Sequence, residues 1–316
     1  MTTLLVTSVG GHLAELARLF HRLEGVDADC HWVTFDTPQS RSALKAENVT
    51  YLDYTGPRDS KGILRHSLVA RRLFARGHPF SIVISAGSGI ALSFLPLGQV
   101  RGASCHYIES FTRTAGPSAT GRVLSYVPGI TLYTQHERWS DARWHFVGSI
   151  FDGFQPGPQL RVAPDIRRAV VTLGTMEDYA FRRMIDRTLA ALPPGVDVLW
   201  QVGCTDVSDL PIPARAHLPR DVMKAAIESA DVVIAHAGCG SAITALEAGK
   251  KPLLVPRLRA HSENVDDHQV ELAHELSARG LAVVRDPDEL TFEGVRLAAS
   301  SSIVKAAQLQ PLRLFS

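Results

Sequence analysis

Staples, metal clusters and membrane-inserting segments are what this 316-residue chain has least of. Its four cysteines (Cys30, Cys105, Cys204 and Cys239) lie far apart, with no Cys-x-x-Cys pair. They supply neither a disulfide framework nor a cysteine zinc site, and they suit a reducing cytoplasm. No apolar run approaches the roughly 20 residues that a membrane span requires. The opening MTTLLVTSVGGH lacks a basic stretch and reaches Gly-Gly too early for a signal peptide. A charge excess is missing as well: 33 Lys and Arg against 32 Asp and Glu leave a net charge of +1, which argues against a general nucleic-acid binder. With 45% hydrophobic residues and a mean hydropathy near zero, a cytoplasmic globular protein is expected. The length exceeds what one core holds comfortably, so two domains are expected.

One local absence stands out. Between Asp59 and Glu109 there is no acidic residue, while Lys61, Arg65, Arg71, Arg72, Arg76 and Arg101 are all present. Within that stretch, GILRHSLVARRLFARGHPF places Ile63, Leu64, Leu68, Val69, Leu73 and Phe74 at helical spacing. The pattern fits an amphipathic helix packed on a sheet with a solvated basic edge. It equally fits a peripheral contact with an anionic membrane surface, and the two are compatible.

What is present is a steady alternation of short apolar runs with helical patterns, which predicts parallel α/β folding. Strands are expected near 4–7, 31–35, 50–54, 82–85, 105–108, 131–133 and 145–147. The segment FDGFQPGPQL has Gly and Pro but no periodicity, and it reads as a linker over 151–162. Alternation then restarts at 169–173 and runs to 282–284, followed by a C-terminal helix from about Glu289. Two Rossmann-like, doubly wound domains are therefore predicted, over 1–150 and 163–316, facing each other across a cleft. Ligands in such sheets bind beyond the carboxyl ends of strands.

Five strand-to-helix loops carry the candidate chemistry. SVGGHLAEL has Gly10 and Gly11 at a helix start and His12 at its mouth, a group that could bind a phosphate or accept a proton. It is not a Gly-x-Gly-x-x-Gly fingerprint. ISAGSGIAL repeats the theme with Gly87, Ser88 and Gly89. LGTMEDYAF supplies Gly174 and Thr175, with Glu177 and Asp178 as favourable first-turn charges. HAGCGSAITALEAG supplies His236, Gly238, Gly240 and Ser241. The polar loop VPRLRAHSENVDDHQVELA ends in His268-Gln269. His261, His268, Asp266 and Asp267 straddle its loop-to-helix junction without a fixed ligand spacing, so no metal site is assigned.

HAGCGSAI, GKKPLLVPR and ENVDDHQVELA together resemble the C-terminal, donor-binding domain of GT-B glycosyltransferases, the family 28 C-terminal domain. Its members include the peptidoglycan GlcNAc transferase, the catalytic subunit of the dolichol-linked UDP-GlcNAc transferase and bacterial exopolysaccharide homologues. VVTLGTMEDYAFRRMI is similar to the start of that domain. SVGGHLAEL and YIESFTRTAGPSATGRVL resemble the membrane-recruiting partner subunit of the dolichol-linked enzyme, so the chain resembles both subunits fused, over about 1–285.

The resemblance implies an inverting hexosyltransferase acting on a UDP-sugar, with GlcNAc as the expected sugar and a lipid-linked or polysaccharide acceptor. It implies that no cofactor or metal is required. Gly174, Thr175, His236, Gly238, Gly240 and Ser241 would surround the donor's diphosphate, and Arg220, Val222 and Met223 the base. Glu263, His268 and Gln269 would complete the donor site. The acceptor would approach His12 and Glu109, with His12 the first candidate base because an imidazole titrates near working pH. Thr244 stands where the family usually carries a Glu that binds the ribose hydroxyls, which leaves Glu247 or Glu263 to take over. That departure raises a second reading, a non-catalytic nucleotide-sugar-binding module; a sugar-nucleotide epimerase of the same fold is a further alternative, disfavoured because few acid/base candidates for it appear.

Overall fold

The β-branched and leucine-rich runs become strands because their side chains can be buried on both faces of a sheet. The structure is a computed structural model describing residues 2–26, 30–56, 59–75, 80–160, 164–174 and 178–314. It divides into unit 1, residues 1–150 with 309–316, and unit 2, residues 151–308.

Unit 1 runs β1 (Thr2–Val6), α1 (Gly11–Phe20), β2 (Leu23–Glu24), β3 (Cys30–Phe35), α2 (Pro38–Ala43), β4 (Asn48–Leu52), α3 (Ser60–Ala75), β5 (Phe80–Ala86), α4 (Ala91–Val100), β6 (Ser104–Ile108), α5 (Ala119–Ser125), β7 (Ile130–Thr134) and β8 (Trp144–Phe146). Its seven-stranded sheet has the order β4-β3-β1-β5-β6-β7-β8 and is parallel throughout. Leu4, Val6, Val33, Val83, Phe94, Tyr107 and Leu132 fill one face of it.

Unit 2 runs β9 (Phe154–Gln159), β10 (Arg168–Thr172), α6 (Arg182–Ala191), β11 (Asp197–Gln201), β12 (Ala214–Arg215), α7 (Arg220–Ser229), β13 (Val232–His236), α8 (Cys239–Glu247), β14 (Leu253–Val255), α9 (His268–Ala278), β15 (Val283–Val284), α10 (Phe292–Ala299) and β16 (Ser301–Lys305). Its parallel sheet has the order β12-β11-β10-β13-β14-β15 around a core that includes Val171, Leu173, Met184, Ile234 and Val255.

Both sheets are doubly wound, and this places the sites. In unit 1 the chain leaves β1 toward β3 and returns on the other side at β5, so the loops after β1 and β5 are neighbours. In unit 2 the same reversal brings together the loops after β10 and β13. These are the switch points where open α/β sheets bind ligands.

Two sequence expectations change. The segment read as a linker over 151–162 contains β9, which pairs antiparallel with β16, Ile303 opposite Pro156. Its prolines are tolerated because a two-stranded ribbon leaves outward positions that need no N–H. The C-terminus does not stay with unit 2 as a trailing helix. After α10 and β16 it returns to unit 1, where β17 (Leu312–Arg313) pairs with β2. Leu312 is buried, its N–H donates to the Arg22 carbonyl at 2.8 Å, and the Arg22 guanidinium donates to the carbonyls of Ser149 and Gln310. Among the described residues no helix is long and apolar enough to cross a membrane.

Leu312 is the one buried side chain of this tail among the described residues 306–314. Leu312→Ala is expected to cost about 2–3 kcal/mol in chemical denaturation. Arg313→Ala, which removes only the exposed 2.8 Å pair with Glu24, should cost less than about 1 kcal/mol.

Candidate active site

At each switch point a histidine from one loop lies close against a glycine of the neighbouring loop. In unit 2, strand β13 ends in His236, whose Nδ1 faces the Thr172 carbonyl at 3.3 Å. A Cβ built on Gly174 would lie 2.5 Å from Cε1 of that ring, and one on Gly238 2.2 Å from Nε2. Any side chain at either position would displace the imidazole. Gly174 is further fixed by its positive φ of 76°. Gln201 buttresses the turn, donating to the Gly174 carbonyl at 3.2 Å and to Thr172 Oγ1 at 3.3 Å.

Helix α8 starts directly beyond this ring, with Gly238 as an N-cap that offers no side-chain acceptor. Its first backbone bond runs from Ala242 to Gly238, so the N–H groups of Gly240 and Ser241 lie in the first turn, ahead of the helix's own bonding. Burial, followed by the positive field of Arg257, pulls the His236 pKa down from its ordinary 6.5 to about 3. The ring is therefore neutral near pH 7. With Nδ1–H donated to Thr172, its Nε2 carries a lone pair.

In unit 1, His12 leans on Gly87, where an added Cβ would lie 2.3 Å from Nδ1. Gly10 and Gly87 have positive φ, and so does Ser88 at 67°, which a non-glycine residue seldom adopts. Below His12 lies Glu15, one helical turn on and fully buried. Its Oε1 accepts from the Phe111 N–H and from Gln135 Nε2, both at 2.6 Å, while Oε2 lies 3.6 Å from His12 Nδ1. Neither of those last two atoms has another hydrogen-bond partner. A carboxylate anchored on one oxygen thus turns its other oxygen toward Nδ1 of the imidazole, with Nε2 on the far side of the ring. Glu15 went unassigned from sequence, although an acid inside the buried stripe Leu13, Leu16 and Leu19 was a visible signal.

Other expected residues are placed differently. Glu109 is 1% exposed. It accepts from the Ser118 N–H and Oγ, both at 2.9 Å, from the Ser110 N–H at 3.1 Å and from the Tyr107 hydroxyl at 3.2 Å. Burial raises its pKa, and these donors partly oppose the rise. With both oxygens engaged under the start of α5, it braces a loop and is not the base.

Glu263 is also buried, held by Arg183 through two bonds of 3.0 and 3.2 Å and by the Leu258 N–H at 3.0 Å. That removes it as a ribose ligand. Gln269 is buried with its Oε1 accepting the Arg257 N–H at 3.1 Å, so it pins the loop instead of reaching outward. Thr244 Oγ1 donates back to the Gly240 carbonyl at 2.9 Å, and Glu247 is exposed three residues on. Arg220, Val222 and Met223 stand at the start of α7, the first two exposed. His268 begins α9 in contact with Asp266. Gly11 opens α1, and Gly89 precedes α4 with Ile63 Cδ1 3.7 Å from a built Cβ. Thr175 lies outside the described residues. No group of three His, Cys, Asp or Glu side chains able to hold a metal ion occurs among the described residues.

The His236 slot makes two checkable statements. Gly238→Ala should cost about 1–3 kcal/mol by overpacking, and that cost should largely vanish when His236→Ala is added. Because the folded-state pKa lies below the unfolded one, the unfolded chain takes up the proton first. The neutral ring's contribution to stability is thus intact above about pH 6.5 and is lost as pH falls toward 3. A His236→Asn protein should lose less stability than wild type between pH 7 and pH 4 in denaturant titrations.

With this geometry in place, the relatives can be set beside it. Residues 169–302 match the glycosyltransferase family 28 C-terminal domain. A 143-residue stretch is 30% identical to the UDP-N-acetylglucosamine--N-acetylmuramyl-(pentapeptide) pyrophosphoryl-undecaprenol N-acetylglucosamine transferase of Cupriavidus necator, covering 42% of this chain and 39% of that one. A 73-residue stretch is 40% identical to the UDP-N-acetylglucosamine transferase subunit ALG13 of Yarrowia lipolytica, covering 23% of this chain and 35% of the other. The chain thus spans less than half the length of these curated relatives.

In fold the likeness is longer. The crystal structure of MurG from Acinetobacter baumannii matches with a TM-score of 0.58 at 18% identity, over 94% of this chain and 89% of that one. The spinosyn rhamnosyltransferase SpnG, complexed with thymidine diphosphate, matches with a TM-score of 0.57 at 17% identity, over 95% and 94%. The chain therefore has the fold of the GT-B glycosyltransferases, and within it residues 169–302 are similar to the glycosyltransferase family 28 C-terminal domain.

Proposed function

We propose that the protein is an inverting glycosyltransferase that moves a hexose, GlcNAc in the first instance, from a UDP-sugar to a lipid-linked or polysaccharide acceptor in cell-envelope or exopolysaccharide synthesis. The observation that carries this reading is the open start of α8. There, Gly174, His236, Gly238, Gly240 and Ser241 build an anion-receiving turn inside the family 28 domain. Both curated relatives are named for UDP-N-acetylglucosamine transfer, which supports the choice of donor.

In this reading the acceptor hydroxyl attacks the anomeric carbon as the bond to UDP breaks, and the configuration inverts. The hydroxyl proton passes to His12 Nε2, and Glu15 stabilises the imidazolium that forms. The leaving diphosphate is stabilised by the N–H groups and dipole of α8, without a cofactor or metal. Gly10, Gly11, Gly87, Ser88 and Gly89 form the corresponding loops on the acceptor side.

Helix α3 supports a membrane-borne acceptor and a peripheral location on the inner face of the cell membrane. It exposes Leu64 (69%) and Leu68 (53%) on a face with Lys61, Arg65, Arg71 and Arg72. Arg76 lies outside the described residues. Leucines among these cations, of which Arg65 meets Asp53 at 3.5 Å, suit an anionic bilayer surface.

Calorimetry with UDP and turnover of UDP-GlcNAc with lipid-diphosphate sugars test the activity; absence of both would end the proposal. His12→Ala should lower kcat by about 10²–10⁴ while leaving UDP affinity unchanged. Glu15→Gln should lower kcat by about 10–100-fold and move the acidic limb of its pH profile to lower pH. Co-sedimentation with anionic vesicles should fall when Arg71 and Arg72 are changed to Gln, and should be insensitive to them if α3 is only a solvated edge.

A further inference from the structure

Beneath the His236 turn lies a cation that the proposed chemistry does not yet use. Arg257, just after β14, is 1% exposed. Its guanidinium donates to the Leu173 carbonyl at 2.8 Å, to the Glu263 carbonyl at 3.3 Å and to the Tyr179 carbonyl. It lies 5.2 Å from the centroid of the Phe181 ring. Nε is buried without a partner.

All of its hydrogen bonds thus go to neutral carbonyls. The one carboxylate in its loop that bears on it, Glu263, is spent on Arg183, which is also shared by Asp286 and Asp288. Among the described residues no carboxylate forms an ion pair with Arg257. Leaving a buried guanidinium without an anion is costly, and a fold seldom retains one for packing alone.

Its position points its charge at the His236 turn. Leu173, which Arg257 holds, precedes Gly174, the wall of the His236 slot. Its charge also helps to keep that imidazole neutral. The other wall of the slot, Gly238, is the N-cap of α8, whose positive dipole end lies at this turn. A helix start and a buried guanidinium therefore raise the potential at the same turn from two sides.

We infer that Arg257 is the buried counter-charge of the donor's diphosphate: a positioning and electrostatic residue that does not touch the ligand but makes the turn selective for two phosphates over none. The inference rests on reading this turn as the UDP-sugar site. It adds that affinity for the phosphates is set largely by a residue on a different loop, while affinity for the nucleoside is not. A residue that only bracketed the loops would affect uridine and UDP alike.

Calorimetry with uridine, UMP and UDP on wild type, Arg257→Lys and Arg257→Met separates the possibilities. Arg257→Met is expected to weaken UDP by about tenfold or more, UMP by less, and uridine by less than about twofold. Arg257→Lys, which keeps a cation but gives up the carbonyl bracket, should bind UDP within about threefold of wild type. Should the Met protein fail to fold, Glu263→Gln carries the test from the other side. It leaves Arg257 in place, removes the one carboxylate in its loop that offsets it, and should tighten UDP but not uridine. Parallel losses for uridine and UDP, an unchanged UDP affinity in Arg257→Met, or a Lys protein as weak as the Met one would each overturn the inference while leaving the donor reading intact. Wild-type protein that binds no UDP would overturn both.

Discussion

An imidazole ring pressed onto a bare Cα is the contact on which both candidate sites depend. His236 fits only because Gly174 and Gly238 lack side chains, and His12 fits only because Gly87 does. The glycines of these loops are usually understood as room for a phosphate. Here they also make room for a histidine, so the catalytic or binding ring and the glycine form one unit of structure. The switch-point topology makes this possible, because it brings two loops remote in sequence to adjacent strand ends. Substituting the glycine therefore moves the histidine without touching it.

The same two rings are set for different work by what lies beneath them. Under His12 is a carboxylate, Glu15, held on one oxygen and turned toward the ring with the other. Near His236 is a guanidinium, Arg257, whose field together with burial disfavours a proton. One imidazole thus sits beside a negative partner and the other beside a positive one. That division follows from the sign of the buried partner and not from the loops themselves, which look alike in sequence.

How far sequence could be trusted followed from the range of the interactions involved. Strands such as Val232–His236 and helices such as His268–Ala278 announce themselves through local periodicity and were legible, as were the glycine turns between them. The ribbon of β9 and β16 was not, because FQPGPQ contains two prolines and a glycine that locally signal a break. Only pairing with residues about 145 positions away makes it a strand. Glu109, Glu263 and Gln269 share one misreading. Polar side chains in site-like loops read as ligand contacts, yet each is buried and engaged by the loop's own donors. Glu15 and Arg257 are the converse, charged residues in apolar surroundings whose roles appear only when chain separations of 80 to 120 residues are closed.

The returning tail has a consequence for how the molecule is made. Unit 1 is discontinuous: its β2 edge and the seat of Leu312 are filled by residues that the ribosome delivers only after all of unit 2. A nascent chain that has emerged through residue 150 therefore lacks one strand of its own unit and leaves apolar surface uncovered while the next 158 residues are translated. Completion of the first unit is thereby tied in time to synthesis of the second, and translation that stops short would yield a first unit with an open edge.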